Sequence, residues 1–149
     1  MSGSPRAKGF NRFELLIAMS IVSILAVVAV PMYLNYDVRA KITEGFALAD
    51  PVKSMVAEYY QTMGSWPNSN QTAGVQAPEG YKTDNVASIK VEKDGTDGNS
   101  IITITYRIPA LGSNNTIILT SENVTGRWIQ WSCNRGTVIN KFRPTACKL

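Results

Sequence analysis

The sequence predicts an α+β fold: one long amino-terminal helix, apolar in its first half and amphipathic in its second, packed on a four-stranded antiparallel sheet. Three observations carry that prediction. Leu15 to Tyr36 runs 22 residues without a charge. From Asp37 to Met63 apolar residues recur at spacings of three and four. Beyond residue 86 the period falls to two, and turn residues separate four strand-like runs.

Composition narrows the chemistry. With 149 residues the chain holds one domain of ordinary size plus an appendage. Its 15 Lys and Arg against 11 Asp and Glu give a formal charge of +4, and 44% hydrophobic content is too apolar for a disordered chain. Histidine is absent, which excludes His-dependent triads and His-ligated zinc or haem. Two cysteines are too few for a four-Cys zinc site or a cysteine-ligated cluster. No nucleophile–base pair, paired-carboxylate motif or phosphate-binding Gly loop stands out, so neither an enzymatic activity nor a cofactor is expected.

The first element sets the topology. Met1 to Gly9 is short, polar and basic, with Arg6 and Lys8. A hydrocarbon core takes ~20 apolar residues in a helix, so Leu15 to Tyr36 is long enough to span. The flanking cations place the amino-terminal end in the cytoplasm. A secretory signal peptide would have a shorter apolar stretch and a small-residue cleavage site. Ala26 to Ala29 offers such a spacing, but the run continues past Pro31 into Tyr33 and Tyr36. Glu14 is the anomaly, since a carboxylate in a lipid-compatible segment is costly and marks function by default. The plainer alternative sets it at headgroup level in the first helical turn, where the macrodipole favours an anion.

The second half of the helix presents Val38, Ile42, Phe46, Leu48, Val52, Met55, Val56, Tyr59, Tyr60 and Met63 as its apolar set. Pro31 and Pro51 are expected to kink the helix rather than end it, and Gly45 adds a soft point. Gly64-Ser65-Trp66-Pro67 ends it, after ~80 Å at 1.5 Å per residue from Phe10. Residues 64–86 form a surface loop long enough to be functional. Strands are expected at Ser88–Lys93, at Ile102–Ile108, at Thr116–Ser121 and at Gly126–Ser132, with turns at Asp94–Gly98 and Leu111–Asn115. Asp94, Asp97 and Asn99 lack the spacing and distal Glu of an EF-hand, so a solvated hairpin turn is the better reading than a calcium loop.

Lys8-Gly9-Phe10, followed by Glu14 and a long apolar helix, resembles the amino-terminal signal of type IV prepilins. Pro31, Tyr33, Tyr36, Arg39 and Pro51 fall at spacings similar to those of type IVa pilins. The resemblance is specific over Lys8 to about Tyr60 and looser beyond. It implies cleavage between Gly9 and Phe10 by a membrane prepilin peptidase, N-methylation of Phe10, and Glu14 as fifth residue of the mature chain. Residues 1–9 are then a leader, 10–36 a transmembrane and assembly helix, and 37–149 a periplasmic or extracellular globular domain. Asn11 and Arg12 depart from the small or apolar residues usual there. A buried Glu14 needs a cation at its own depth, and a neighbouring subunit's Phe10 amine supplies one, setting the axial step between copies.

Export makes a Cys133–Cys147 disulfide the expected state. Closing a loop of this length is worth ~3 kcal/mol in the chain-entropy model. The resemblance implies a disulfide-bounded carboxy-terminal region exposed on the filament and adhesive in some members. After Glu122 the tail is wholly basic, with Arg127, Arg135, Lys141, Arg143 and Lys148, and it carries Trp128 and Trp131. The two tryptophans are three residues apart and so lie on opposite strand faces, one core and one exposed. Arg127, Trp128, Arg135, Lys141, Arg143 and Lys148 form the candidate contact set for anionic glycans, lipid headgroups or DNA; the alternative is a solvated basic face. The sequons at Asn70, Asn114 and Asn123 carry little weight.

The leading expectation is a homo-oligomeric type IV pilus subunit. It waits in the bacterial inner membrane with its amino terminus cytoplasmic, then polymerises through its helix into a retractable filament. Separate ATPase motors in an inner-membrane assembly machinery would drive it, and adhesion, twitching motility and DNA uptake are the functions implied. Two alternatives remain open: a minor or tip pilin binding DNA or a host receptor, and a type II secretion pseudopilin.

Overall fold

The computed structural model describes residues 9–125 and 128–148. Residues 1–8, with Arg6 and Lys8, lie outside the described residues, as does Arg127. One helix, α1, runs over Arg12–Met63 and continues through both Pro31 and Pro51. The chain divides into two compact units, one ending at Leu34 and one beginning at Asn35.

In the first unit every described residue of 9–34 is exposed. Ser20 and Ser23 donate their hydroxyls to the carbonyls of Ile17 and Met19, both at 2.8 Å. Such back-bonding leaves no hydroxyl unsatisfied in an apolar stretch. This segment has a mean hydropathy of 2.7 over its best window and meets the length and composition of a membrane span.

The second unit is a helix-on-sheet domain. Strands β1 (Val86–Lys93), β2 (Ser100–Tyr106), β3 (Thr116–Thr125) and β4 (Trp128–Gly136) form one antiparallel meander in that order. Ile89 pairs with Ile104 and Ile104 with Ile117, so one row of β-branched side chains crosses three strands on the core face. Against that face α1 buries Val38, Ile42, Gly45, Ala49, Val52 and Val56, a strict four-three alternation. Phe46 and Leu48 pack at its margin, whereas Met55 and Met63 are exposed. The apolar side chains therefore extend beyond the stripe that touches the sheet.

Gly45 is not a soft point but a contact. A Cβ there would lie 2.5 Å from the hydroxyl oxygen of Tyr106 and 2.7 Å from its ring. Tyr106 is buried and donates its hydroxyl to the Ile42 carbonyl at 2.9 Å. The missing side chain lets helix and sheet meet across that ring. The helix then ends as expected: Gly64 adopts φ 69° and donates to the Tyr60 carbonyl.

The last two strands are longer than the sequence suggested. β3 continues through Glu122 to Thr125, and β4 carries on past Ser132 to Gly136, because backbone pairing extends where apolar alternation stops. Asn85 donates to Glu44 at 2.6 Å and ties the start of β1 to the helix. That bond and one from Thr83 hold the Glu44 carboxyl below the ordinary range.

Candidate functional site

Two regions carry the residues singled out in the sequence. At the amino-terminal end, Gly9 and Phe10 precede the helix and are exposed. Asn11 begins α1 as its cap, its Oδ1 accepting from the Phe13 N–H at 3.5 Å while its carbonyl accepts from Leu15 at 3.1 Å. Glu14 stands in the first turn, where the helix dipole favours it. Among the described residues it has no hydrogen-bond or ion-pair partner within the chain, and Pro31 is likewise exposed. Arg12 lies two positions from Glu14, on a different face, so the two do not pair along the helix.

At the carboxy-terminal end the structure joins Cys133 to Cys147 in a disulfide, as expected. The six-residue contact set does not hold together. Arg127 lies outside the described residues. Trp128 is 84% exposed at the end of the β3–β4 hairpin, while Trp131 packs on the core against Trp66. Lys141 and Lys148 are exposed. Arg135 makes a 2.6 Å ion pair with Asp94, an acid 41 positions earlier.

Arg143 corrects the sequence reading: it is fully buried and offers nothing to a ligand. Its Nε donates to Val138 O at 2.6 Å, and its two Nη groups to Gly136 O at 2.9 Å, Cys133 O at 3.1 Å, Arg135 O at 3.2 Å and Cys147 O at 3.3 Å. Burial lowers its pKa from the usual guanidinium value. The planar fork satisfies five carbonyls at once, which an ammonium could not match. In a basic tail such a residue looks like surface; only the carbonyls that converge on it distinguish it.

Asn70 is the residue that sequence reasoning missed. Read there only as a sequon, it is buried, and its Nδ2 donates to Ile89 O and Gln76 O while its Oδ1 accepts from Val91 N–H at 2.7 Å. It closes the free edge of β1 as Arg143 closes part of the edge of β4, each using one side chain where a further strand would otherwise pair. Asp94 also leaves the calcium alternative without support: its carboxylate accepts from Thr96 N–H and from Arg135, in that order of effect, and both hold its pKa below the usual range. Among the described residues no cluster of acidic side chains or cysteines is arranged to hold a metal.

An exposed apolar half-helix continues into a helix-on-sheet domain. The profile of the pilin family, subunits of bacterial filaments, matches residues 38–148. The chain is similar to the type IV major pilin protein PilE of Neisseria gonorrhoeae, 43% identical over 98 residues, covering 66% of this chain and 55% of that protein. It is 38% identical over 133 residues to PilE1 of the same organism, covering 86% of this chain and 69% of the relative. With the fimbrial protein EcpC of Eikenella corrodens it shares 33% identity over 141 residues, 95% of this chain and 90% of the relative. The chain thus spans little more than half of the first of these and nearly all of the last. It belongs to the pilin family, in the type IV group, whose members are structural rather than enzymatic.

Proposed function

We propose that this chain is a structural subunit of a type IV pilus, held in the bacterial inner membrane by residues 10–36 and then polymerised through the same segment into an extracellular filament. The observation that supports this reading is the exposure of every residue of 12–34, a stretch that carries Leu, Ile, Val and Met and whose two charges, Arg12 and Glu14, both lie in its first turn. Such a surface is stable in lipid or against copies of itself, and apolar burial at ~25 cal/mol per Å² supplies the cohesion. Removal of residues 1–9 frees an amine on Phe10, the site of methylation. Glu14 of one subunit pairs with that amine on the next, and the pair sets the axial step. Pro31 locally opens the helix backbone where the subunits pack. The peptidase, the motors and the machinery that extracts the subunit are separate proteins, and residues 37–149 remain outside the cytoplasm throughout.

Adhesion, twitching motility and DNA uptake are functions of the filament that this reading carries with it. With Arg143 buried and Arg135 paired, Trp128, Lys141 and Lys148 are the described residues of the contact set that are open to host glycans or DNA. Mass spectrometry of filaments sheared from the cell surface tests the proposal. The expected result is this chain as the predominant species, beginning at N-methylated Phe10. A mature chain beginning elsewhere, or filaments without it, would contradict the reading.

A further inference from the structure

The end of the apolar segment has its own chemistry. Tyr33 and Tyr36 are 73% and 75% exposed, at the depth where aromatic side chains mark a membrane–water boundary. Arg39 follows Tyr36 by three residues, about 4.5 Å of helix rise. Its Nε donates at 2.9 Å to the carbonyl of Lys141, which brings the segment before Phe142 to the same level of α1. The Lys141 ammonium stands 5.3 Å from the centre of the Phe142 ring and the residue is exposed. Lys41 lies on the next half-turn, bonded at 2.7 Å to Asp37. Three cations thus stand against one acid at this end of the apolar segment, and that acid, Asp37, is paired with Lys41. The next acid along the helix, Glu44, is engaged by Asn85.

We propose that Arg39, Lys41 and Lys141 form a cationic collar that binds anionic phospholipid headgroups on the outer leaflet of the inner membrane before the subunit is extracted. The inference rests on residues 10–36 spanning the bilayer, and it assigns the carboxy-terminal segment around Lys141 a task apart from the filament surface. Any residue within a turn or two of the last apolar position lies in the headgroup layer, whichever way the domain leans. Arg39 fixes Lys141 there through a backbone carbonyl, so the collar is built from two distant parts of the chain. Cations on the translocated side run against the usual distribution of charge around a span, and phosphate oxygens are the acceptors available at that depth. Each cation near an anionic surface strengthens association roughly fivefold, and salt weakens it.

The test places the full-length chain in nanodiscs of phosphatidylcholine alone and in nanodiscs that also contain phosphatidylglycerol, and reads amide hydrogen exchange at residues 139–142. The collar predicts exchange slowed several-fold only with phosphatidylglycerol. High salt or Lys141→Glu, which keeps the carbonyl that Arg39 uses, removes the slowing; Lys141→Arg retains it. Equal exchange in the two lipids, with the chain inserted, overturns the collar and leaves the span intact. A chain that does not insert into either nanodisc overturns the span and the collar with it.

Discussion

The two halves of α1 obey the same helical geometry and differ in what covers them. Between Val38 and Val56 six residues are buried at intervals of four and three; five join the core cluster that the sheet also lines, and Gly45 faces the Tyr106 ring. Between Arg12 and Leu34 none is buried, although the side chains there are larger and more apolar. The more hydrophobic half therefore contributes nothing to the fold of its own chain. Hydrophobicity alone says that a segment must be covered; the spacing and size of its residues say by what. A stripe with Gly45 and Ala49 in it is cut to fit one sheet. A cylinder apolar on every side suits lipid or a bundle of its own kind.

Substitutions that separate the halves follow from this difference. The largest effect is expected from truncation under the sheet: Ile42→Ala should cost about 3 to 4 kcal/mol by denaturant unfolding, whereas Ile24→Ala should stay within about 0.5 kcal/mol. Equal losses would mean that the first half also belongs to the folded core. Arg143→Ala leaves five carbonyls without their donor and should cost roughly 3 kcal/mol. Arg143→Lys should recover only part of that, since an ammonium cannot reach all five. A surface role for Arg143 predicts no change in either variant.

Smaller effects sharpen the contact itself. Gly45→Ala gains about 1 kcal/mol in helix propensity yet pushes against the Tyr106 ring, a cost of about 1 to 3 kcal/mol. A net loss near 1 kcal/mol is expected, and Gly45→Ala combined with Tyr106→Phe should lose less than the two single changes add up to. Least in size, Asp94 gives a pH signature. Its carboxyl is depressed in the folded state, so the stability it contributes is complete above the unfolded value of about 3.9 and is lost as pH falls through the folded one. Asp94→Asn should lower stability modestly at neutral pH and converge with the parent chain as pH falls through the folded value, so that the acid limb of the pH–stability curve flattens, as followed by thermal unfolding.

Much of this was legible in residues. The helix, its end at Gly64, the meander and the opposite fates of Trp128 and Trp131 follow from period and turn chemistry. Strand ends were not legible, because Glu122, Val124 and Thr125 on one strand and Arg135 and Gly136 on the other pair through their backbones without an apolar alternation to announce it. Nor were Asn70 and Arg143. Both are polar residues whose partners are main-chain atoms, and a sequence records side chains but not where carbonyls converge. The Arg135–Asp94 pair was hidden for a related reason: its members are brought together only by the sheet.

The division of labour within α1 is tested most directly by one paired measurement on Glu14→Ala: the yield of sheared filaments and the melting temperature of the purified chain. Glu14 is exposed and has no partner inside its own subunit among the described residues. Filament yield should fall by an order of magnitude or more, on the scale of an unpaired buried charge, while the melting temperature stays within about 2 °C. Filaments assembling at normal yield, or a chain that no longer folds, would contradict the assignment of the two halves to separate tasks.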